Sequence, residues 1–227
     1  MKKTKGERYL NWFLLFIFLS MVVSLVQNFT RLTSAASAHA ASSAKLMILE
    51  TIAGMVILFI PKLVARIFHF YLPPILYFLF LLFIYGAVYL GTIYHFYSLV
   101  PYWDKGLHLV SGAMLGGFAF SLYGALTDKQ TQDHPQIGFL CLYMLAFAVF
   151  CGVLWEFYEF TCDGIANMNL QRYLASSGRA FVGRAALMDT MGDLISDFFG
   201  GLILAVYSFI KMKNNPQWVK RFFFKKI

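Results

Sequence analysis

Charge is what this sequence has least of. Only 13% of its residues are charged and only eleven are acidic, roughly half the charged share of an average soluble domain, which excludes an ordinary water-soluble fold. Cysteine is scarce too. Cys141, Cys151 and Cys162 form neither a CxxC pair nor a zinc-finger spacing, and the first two fall inside an apolar run, so they read as buried small apolar side chains. Also missing is any long polar stretch. The longest segment between apolar runs, residues 161–188, is too short for a separate soluble domain.

What fills the chain instead is apolar: 59% of residues are hydrophobic and 19% aromatic. Runs long enough to cross a hydrocarbon core of about 30 Å recur at 10–27, 45–61, 72–94, 107–126, 137–160 and 190–210. The expected fold is all-α, a polytopic transmembrane bundle of about six helices forming a single integral membrane domain over 1–227. The net charge of +8 does not indicate nucleic acid, because the basic residues collect at the two ends and in two loops. Counting along six spans puts thirteen Lys/Arg on the side of the termini and six on the other (Arg31, Lys45, Lys105, Arg172, Arg179, Arg184). By the positive-inside rule both termini are cytoplasmic, and a bacterial cytoplasmic membrane is the expected location.

The first run has a charged n-region and is followed by an Ala/Ser-rich stretch containing Ala38-His39-Ala40, which resembles a signal-peptide cleavage site. That site lies well past the end of the run, and an uncleaved helix is the reading adopted. Thr33–Ser43 then reads as a flexible external loop with a solvated His39. Lys62–Phe70 reads as a short amphipathic piece at the cytoplasmic interface. The basic, aromatic Trp218–Ile227 reads as a tail lying on anionic lipid.

Against this apolar background the acids stand out. Asp189, Asp193 and Asp197 are spaced i, i+4, i+8, so on a helix they drift by about 80° over about 12 Å and form one stripe. Glu156, Glu159 and Asp163, at i, i+3, i+7, share a face of the preceding run, and Asp104 and His108 share one at i, i+4. Alone, Asp104 fits a helix N-cap equally well, and His108 fits a hydrogen-bonded core histidine. Each ionisable group at the centre of a spanning helix costs about 2.5–3.5 kcal/mol on insertion scales. Eight of the eleven acids, Glu50 included, fall in the outer halves of four helices, so they are expected to line one cavity open to the outside.

Several carboxylates with one imidazole suit a divalent metal, with Mn, Zn, Fe or Mg as candidates and His108, Glu159, Asp189 and Asp193 as ligands. His108, Glu156, Glu159, Asp189 and Asp193 are the candidate catalytic groups, for metal-activated attack on a phosphate or ester or for general acid/base transfer. Asp104, Asp163 and Asp197 would orient them. Lys105, Arg172, Arg179 and Arg184 are placed to hold an anionic lipid or lipid-linked head group. Two other readings fit the same residues. Eight acids facing six bases could form a salt-bridged scaffold in a non-enzymatic envelope factor. A proton- or cation-coupled transporter would need the acidic path to continue inward, where the last three runs carry no ionisable residue.

The pattern Asp104-Lys105-Gly106-Leu107-His108, followed by Gly112, resembles the VanZ-like and YjdF-like group of small bacterial membrane proteins. So do the Glu156/Glu159 pair and the Asp-x-x-x-Asp spacing of the last run, and the likeness covers roughly residues 70–210. The long external loop and the third aspartate favour the YjdF-like branch. That resemblance implies a membrane bundle and brings no biochemical activity. The VanZ branch is associated with low-level teicoplanin resistance, a cell-envelope phenotype.

Overall fold

The computed structural model describes residues 5–166, 168–175 and 177–226, and 82% of what it describes is helical. Among the described residues six helices are long and apolar enough to cross a membrane, as the apolar runs require: this is an all-α, multi-pass membrane protein. Its contacts fall into two compact units, one reaching to Trp103 and including the C-terminal strand, the other Asp104–Phe223.

In the first unit α1 (Lys5–Thr33) packs along α2 (Ala38–Ile57). The four-residue connection leaves them as antiparallel neighbours. Ser37 caps α2 by accepting a hydrogen bond from the Ala40 amide at 3.2 Å. The expected Thr33–Ser43 loop is therefore mostly helix, because alanine and serine continue a helix once a cap starts it; the His39 side chain lies outside the described residues. Pro61, lacking an N–H, interrupts the backbone ladder where α2 gives way to α3 (Ile60–Ile67). A two-residue strand, β1 (Phe70–Tyr71), leads to α4 (Pro74–Ile84), which continues as a π-helical segment, Tyr85–Ile93. The Trp103 indole donates to the Gly86 carbonyl at 3.1 Å. The short α5 (Phe96–Leu99) closes the unit, whose core is Leu14, Ile17, Met21, Leu58, Tyr77, Leu81 and Ile84.

The second unit is built from α6 (Trp103–Leu126), α8 (Ile137–Ala166) and α9 (Met188–Asn214), with the short α7 (Lys129–Asp133) between the first two. A 3-10 turn, Gly183–Leu187, precedes α9. The helices outrun the apolar runs. Starting from Ile137, about 20 residues at 1.5 Å already cover a 30 Å core, so Glu156 falls at its edge and the last turns of α8 carry Glu159 and Asp163 beyond it. α6 begins at Trp103, placing Asp104 in its first turn and not at the N-cap.

The C-terminal segment departs from the sequence reading. A second 3-10 segment, Pro216–Phe222, folds back on α9, burying Trp218, Val219, Phe222 and Phe223 to 8%, 0%, 4% and 6% exposure. Those side chains do not lie on lipid. The Phe120 ring packs tilted against Phe222 with centroids 5.5 Å apart, Ser121 donates to the Phe222 carbonyl, and Lys220 pairs with Asp133. Aromatic side chains that would have served at a membrane surface find the same apolar burial inside this unit. The strand β2 (Lys225–Lys226) then pairs antiparallel with β1 in the first unit.

Candidate functional site

The polar residues of the second unit meet where the first turns of α6 and α9 face the last turns of α8. Close backbone approach makes this possible. A Cβ on Gly112 would strike the Asp197 carbonyl, and one on Gly200 would strike that of Leu109, so α6 and α9 touch through main chain. Gly152 on α8 leaves room for the Asp197 carboxylate in the same way. Larger residues at these positions would push the helices apart and separate the charged groups.

Within that contact Lys105 is the hub. Its ammonium lies 2.6 Å from Asp189 Oδ1, 2.8 Å from Asp193 Oδ1 and 3.7 Å from Asp104 Oδ2, and donates also to the Asp189 carbonyl at 3.1 Å. Arg172 reaches in from the loop, 3.3 Å from Asp104 Oδ2 and 3.6 Å from Asp189 Oδ1. Beneath it His108 sits between two carboxylates, Nε2 3.4 Å from Asp193 Oδ1 and Nδ1 3.1 Å from Asp197 Oδ2. The Ser111 hydroxyl reaches Asp197 Oδ1 at 2.8 Å and the His108 carbonyl at 2.9 Å. A neutral imidazole has one N–H and could donate to only one of its two carboxylates.

Four aspartates here face two permanent cations and one imidazole, so the cluster is electron-rich. Two buried carboxylate oxygens, Glu156 Oε1 and Asp189 Oδ2, have no hydrogen-bond partner among the described residues. Buried acceptors are satisfied in most native sites, which makes these two notable. One oxygen, nitrogen or oxygen from each of Asp104, His108 and Asp193 lies within 4.8 Å of the others, a group able to hold a metal ion. It contains His108 and Asp193 from the sequence-based ligand set, adds Asp104, and does not contain Glu159 or Asp189.

The loop is fixed by Asp163 together with neutral residues that no motif singled out. Asp163 accepts from the Leu170 and Gln171 amides at 2.5 and 3.0 Å, and Asn169, in the left-handed region at φ 65°, bonds Leu174 through both ends of its amide. Arg172 follows, also left-handed at φ 49°. Gln171 spans Glu156 Oε2 at 3.2 Å and Thr190 at 3.0 Å. Asp163 thus holds loop backbone at a distance from the charge cluster. Glu159 is half-buried and accepts from the Trp155 indole at 3.0 Å, as i, i+4 spacing allows.

Arg179 and Arg184 are exposed, and their side chains form no ion pair among the described residues, so one arginine of the three reaches the acids. Glu50 lies exposed on α2 in the first unit. Gly178, at φ 78°, lies in the turn between the bridged residues Leu174 and Ala180; Ser176 lies outside the described residues. Gln171, Asn169, Thr190 and Trp155 were missed in sequence because neutral residues carry no spacing signal.

Spanning helices and a charged cluster sunk at one end of three of them define a multi-pass membrane protein with an internal polar site. Residues 9–214 match the family of predicted membrane proteins DUF2238, and the chain belongs to that family. It is similar to an uncharacterized protein of Thermotoga maritima, 32% identical over 132 residues that cover 58% of this chain. The match spans 60% of that relative's length. No solved structure matches.

Proposed function

We propose that this chain is a cell-envelope membrane enzyme that binds a divalent cation at Asp104, His108 and Asp193. The cation would act, with Lys105 and Arg172, on a phosphate-bearing head group of a lipid or lipid-linked molecule. The observation that carries the reading is the grouping of those three donors within 4.8 Å, beside two basic side chains suited to an anion. With the positive-inside rule setting orientation, the cluster faces the outer side of a bacterial cytoplasmic membrane. Affiliation with the YjdF-like branch belongs to the same proposal.

A cation held by Asp104, His108 and Asp193 would polarise a phosphoryl oxygen and activate water. Asp197 and Ser111 fix the imidazole plane, so that His108 offers Nε2 towards Asp193 and the cation. Lys105 lies against two of the three donors, Asp104 and Asp193, and would have to yield Asp193 to a bound cation. Its long stem allows the ammonium to swing towards Asp189 and the incoming phosphate, where Arg172 supplies a planar pair of donors.

A second reading is supported by the same lysine. One ammonium within hydrogen-bonding distance of Asp189 and Asp193 already offsets part of their charge, as a salt-bridged scaffold would require. Buried ion pairs are poor stabilising devices compared with apolar packing, which favours a chemical role over a scaffold. Elemental analysis of detergent-purified protein separates the two. About one equivalent of metal in the wild type, lost in an Asp193→Asn/His108→Ala double variant, supports the cation site. No metal in either, with no thermal shift on adding Mn, Zn or Mg, leaves the scaffold.

A further inference from the structure

The first unit carries a cavity of about 550 Å³ at the end where α3 meets β1 and the start of α1. Its walls are of two kinds. Lys62, Arg66 and His69 supply basic groups, while Tyr71 and Tyr77 supply rings, and Glu7 is the acid on its lining. Lys62 Nζ donates to Asn11 Oδ1 at 2.9 Å and lies 4.8 Å over the Tyr77 ring; the Tyr71 hydroxyl donates to Glu7 Oε1 at 3.1 Å. Arg66 is different. Its guanidinium is exposed and forms no hydrogen bond or ion pair among the described residues. His69, at φ 52°, turns the chain from α3 into β1, and the register of β2 sets Lys225 and Lys226 opposite Tyr71 and Phe70.

The other side of α3 is apolar and bare. Leu63, Val64, Ile67 and Phe68 are 56%, 37%, 58% and 71% exposed. The twenty residues of α2 cover about 30 Å by themselves, which leaves α3 at the boundary between acyl chains and head groups. An apolar face towards acyl chains and a basic face towards a cavity are what such a boundary favours. By chain topology and charge this end is the cytoplasmic one, where anionic lipids are attracted by juxtamembrane basic residues.

We infer that this cavity is a binding site for the phosphodiester head group of an anionic phospholipid, gripped by Arg66 and Lys62. Charge complementarity selects the occupant. Lys62 and Arg66 against Glu7 leave a formal surplus of one positive charge, matching one phosphodiester, and the volume falls in the ordinary range for small-ligand sites. The rings of Tyr71 and Tyr77 suit the glycerol backbone at the same depth. This site is separate in sequence and in unit from the acidic cluster and stands without it.

The test uses the full chain in neutral detergent, with short-chain phosphatidylglycerol, phosphatidylcholine and inorganic phosphate as probes in native mass spectrometry and thermal-shift titrations. Phosphatidylglycerol is expected to bind about tenfold more tightly than phosphatidylcholine, and Arg66→Gln to weaken it about tenfold, the loss of one charge-assisted bidentate contact. Lys213→Gln, which removes one exposed charge from the end of α9, should change it less than twofold. Arg66 forms no hydrogen bond or ion pair among the described residues, so its variant should melt with the wild type; His69→Gln is the second probe of the same wall. Equal binding of the two lipids overturns the proposal, as does equal weakening by Arg66→Gln and Lys213→Gln. Competition by inorganic phosphate alone at lipid concentrations would make this a free-anion site and overturn it as well.

Discussion

Removing the ammonium of Lys105 should strengthen cation binding while weakening the fold. Lys105 Nζ is 2.8 Å from Asp193 Oδ1 and 3.7 Å from Asp104 Oδ2, so a cation shared by those carboxylates and His108 would stand about 4 Å from it. At an effective dielectric of about 20 that repulsion is about 4 kcal/mol per unit of cation charge. Swinging of the lysine stem towards Asp189, with solvent screening, relieves most of it. A residue of about 1.4–2.8 kcal/mol is a ten- to hundredfold gain in affinity for Lys105→Gln. The same variant leaves Asp189 and Asp193 without their shared donor and should lower Tm in metal-free buffer. Isothermal titration of Mn or Zn into both proteins, paired with thermal melts, reads the two effects separately. Unchanged or weaker metal affinity in Lys105→Gln would refute the competition between ammonium and cation.

Three other outcomes follow from the same geometry. Gly112→Val puts a side chain against the Asp197 carbonyl; it should cost about 1–3 kcal/mol by thermal melting and abolish metal binding together with the His108–Asp197 contact. A surface glycine such as Gly138, with open space around it, should accept alanine without either loss. Arg172→Ala should impair turnover or binding of a phosphate-bearing head group at least tenfold, whereas Arg179→Ala should leave it within twofold; equal effects would remove the special place given to Arg172. Asp128, capping α7 through the Thr131 amide, and Asp133, paired with Lys220, both titrate below the ordinary carboxylate value of 3.8. Their contribution is present above that value and lost as pH falls through the lower folded values. Hydrogen exchange in Pro216–Phe222 should therefore accelerate only below about pH 4, and Asp133→Asn should produce the faster exchange already at neutral pH.

The spans were legible because an apolar run of about twenty residues has few alternatives to a spanning helix. Their ends were not. α8 continues to Ala166 because Asp163 holds the loop that follows by its backbone amides, a contact between residues that hydropathy does not rank. Helical spacing placed Asp104 with His108, and Asp189 with Asp193 and Asp197, on common faces, since intrahelical geometry is fixed by period alone. Which faces meet depends on Gly112, Gly152 and Gly200, whose effect is exerted on another helix. The reach of Arg172, in preference to Arg179 or Arg184, is set by two left-handed residues and the Asn169 amide. The C-terminal aromatics misled for a related reason. Membrane interface and protein interior reward the same side chains, and the choice between them was made by Phe120, Ser121 and Asp133, about a hundred residues upstream.

The measurement that bears most directly on the cation site is Co²⁺ titration of the detergent-purified protein, followed by visible d–d absorption. The account predicts one equivalent bound with nitrogen and oxygen ligation, and a changed spectrum or lost binding in each of Asp104→Asn, His108→Gln and Asp193→Asn, while Glu159→Gln retains the wild-type spectrum. A wild-type spectrum preserved in His108→Gln, or no bound Co²⁺ at all, would contradict it.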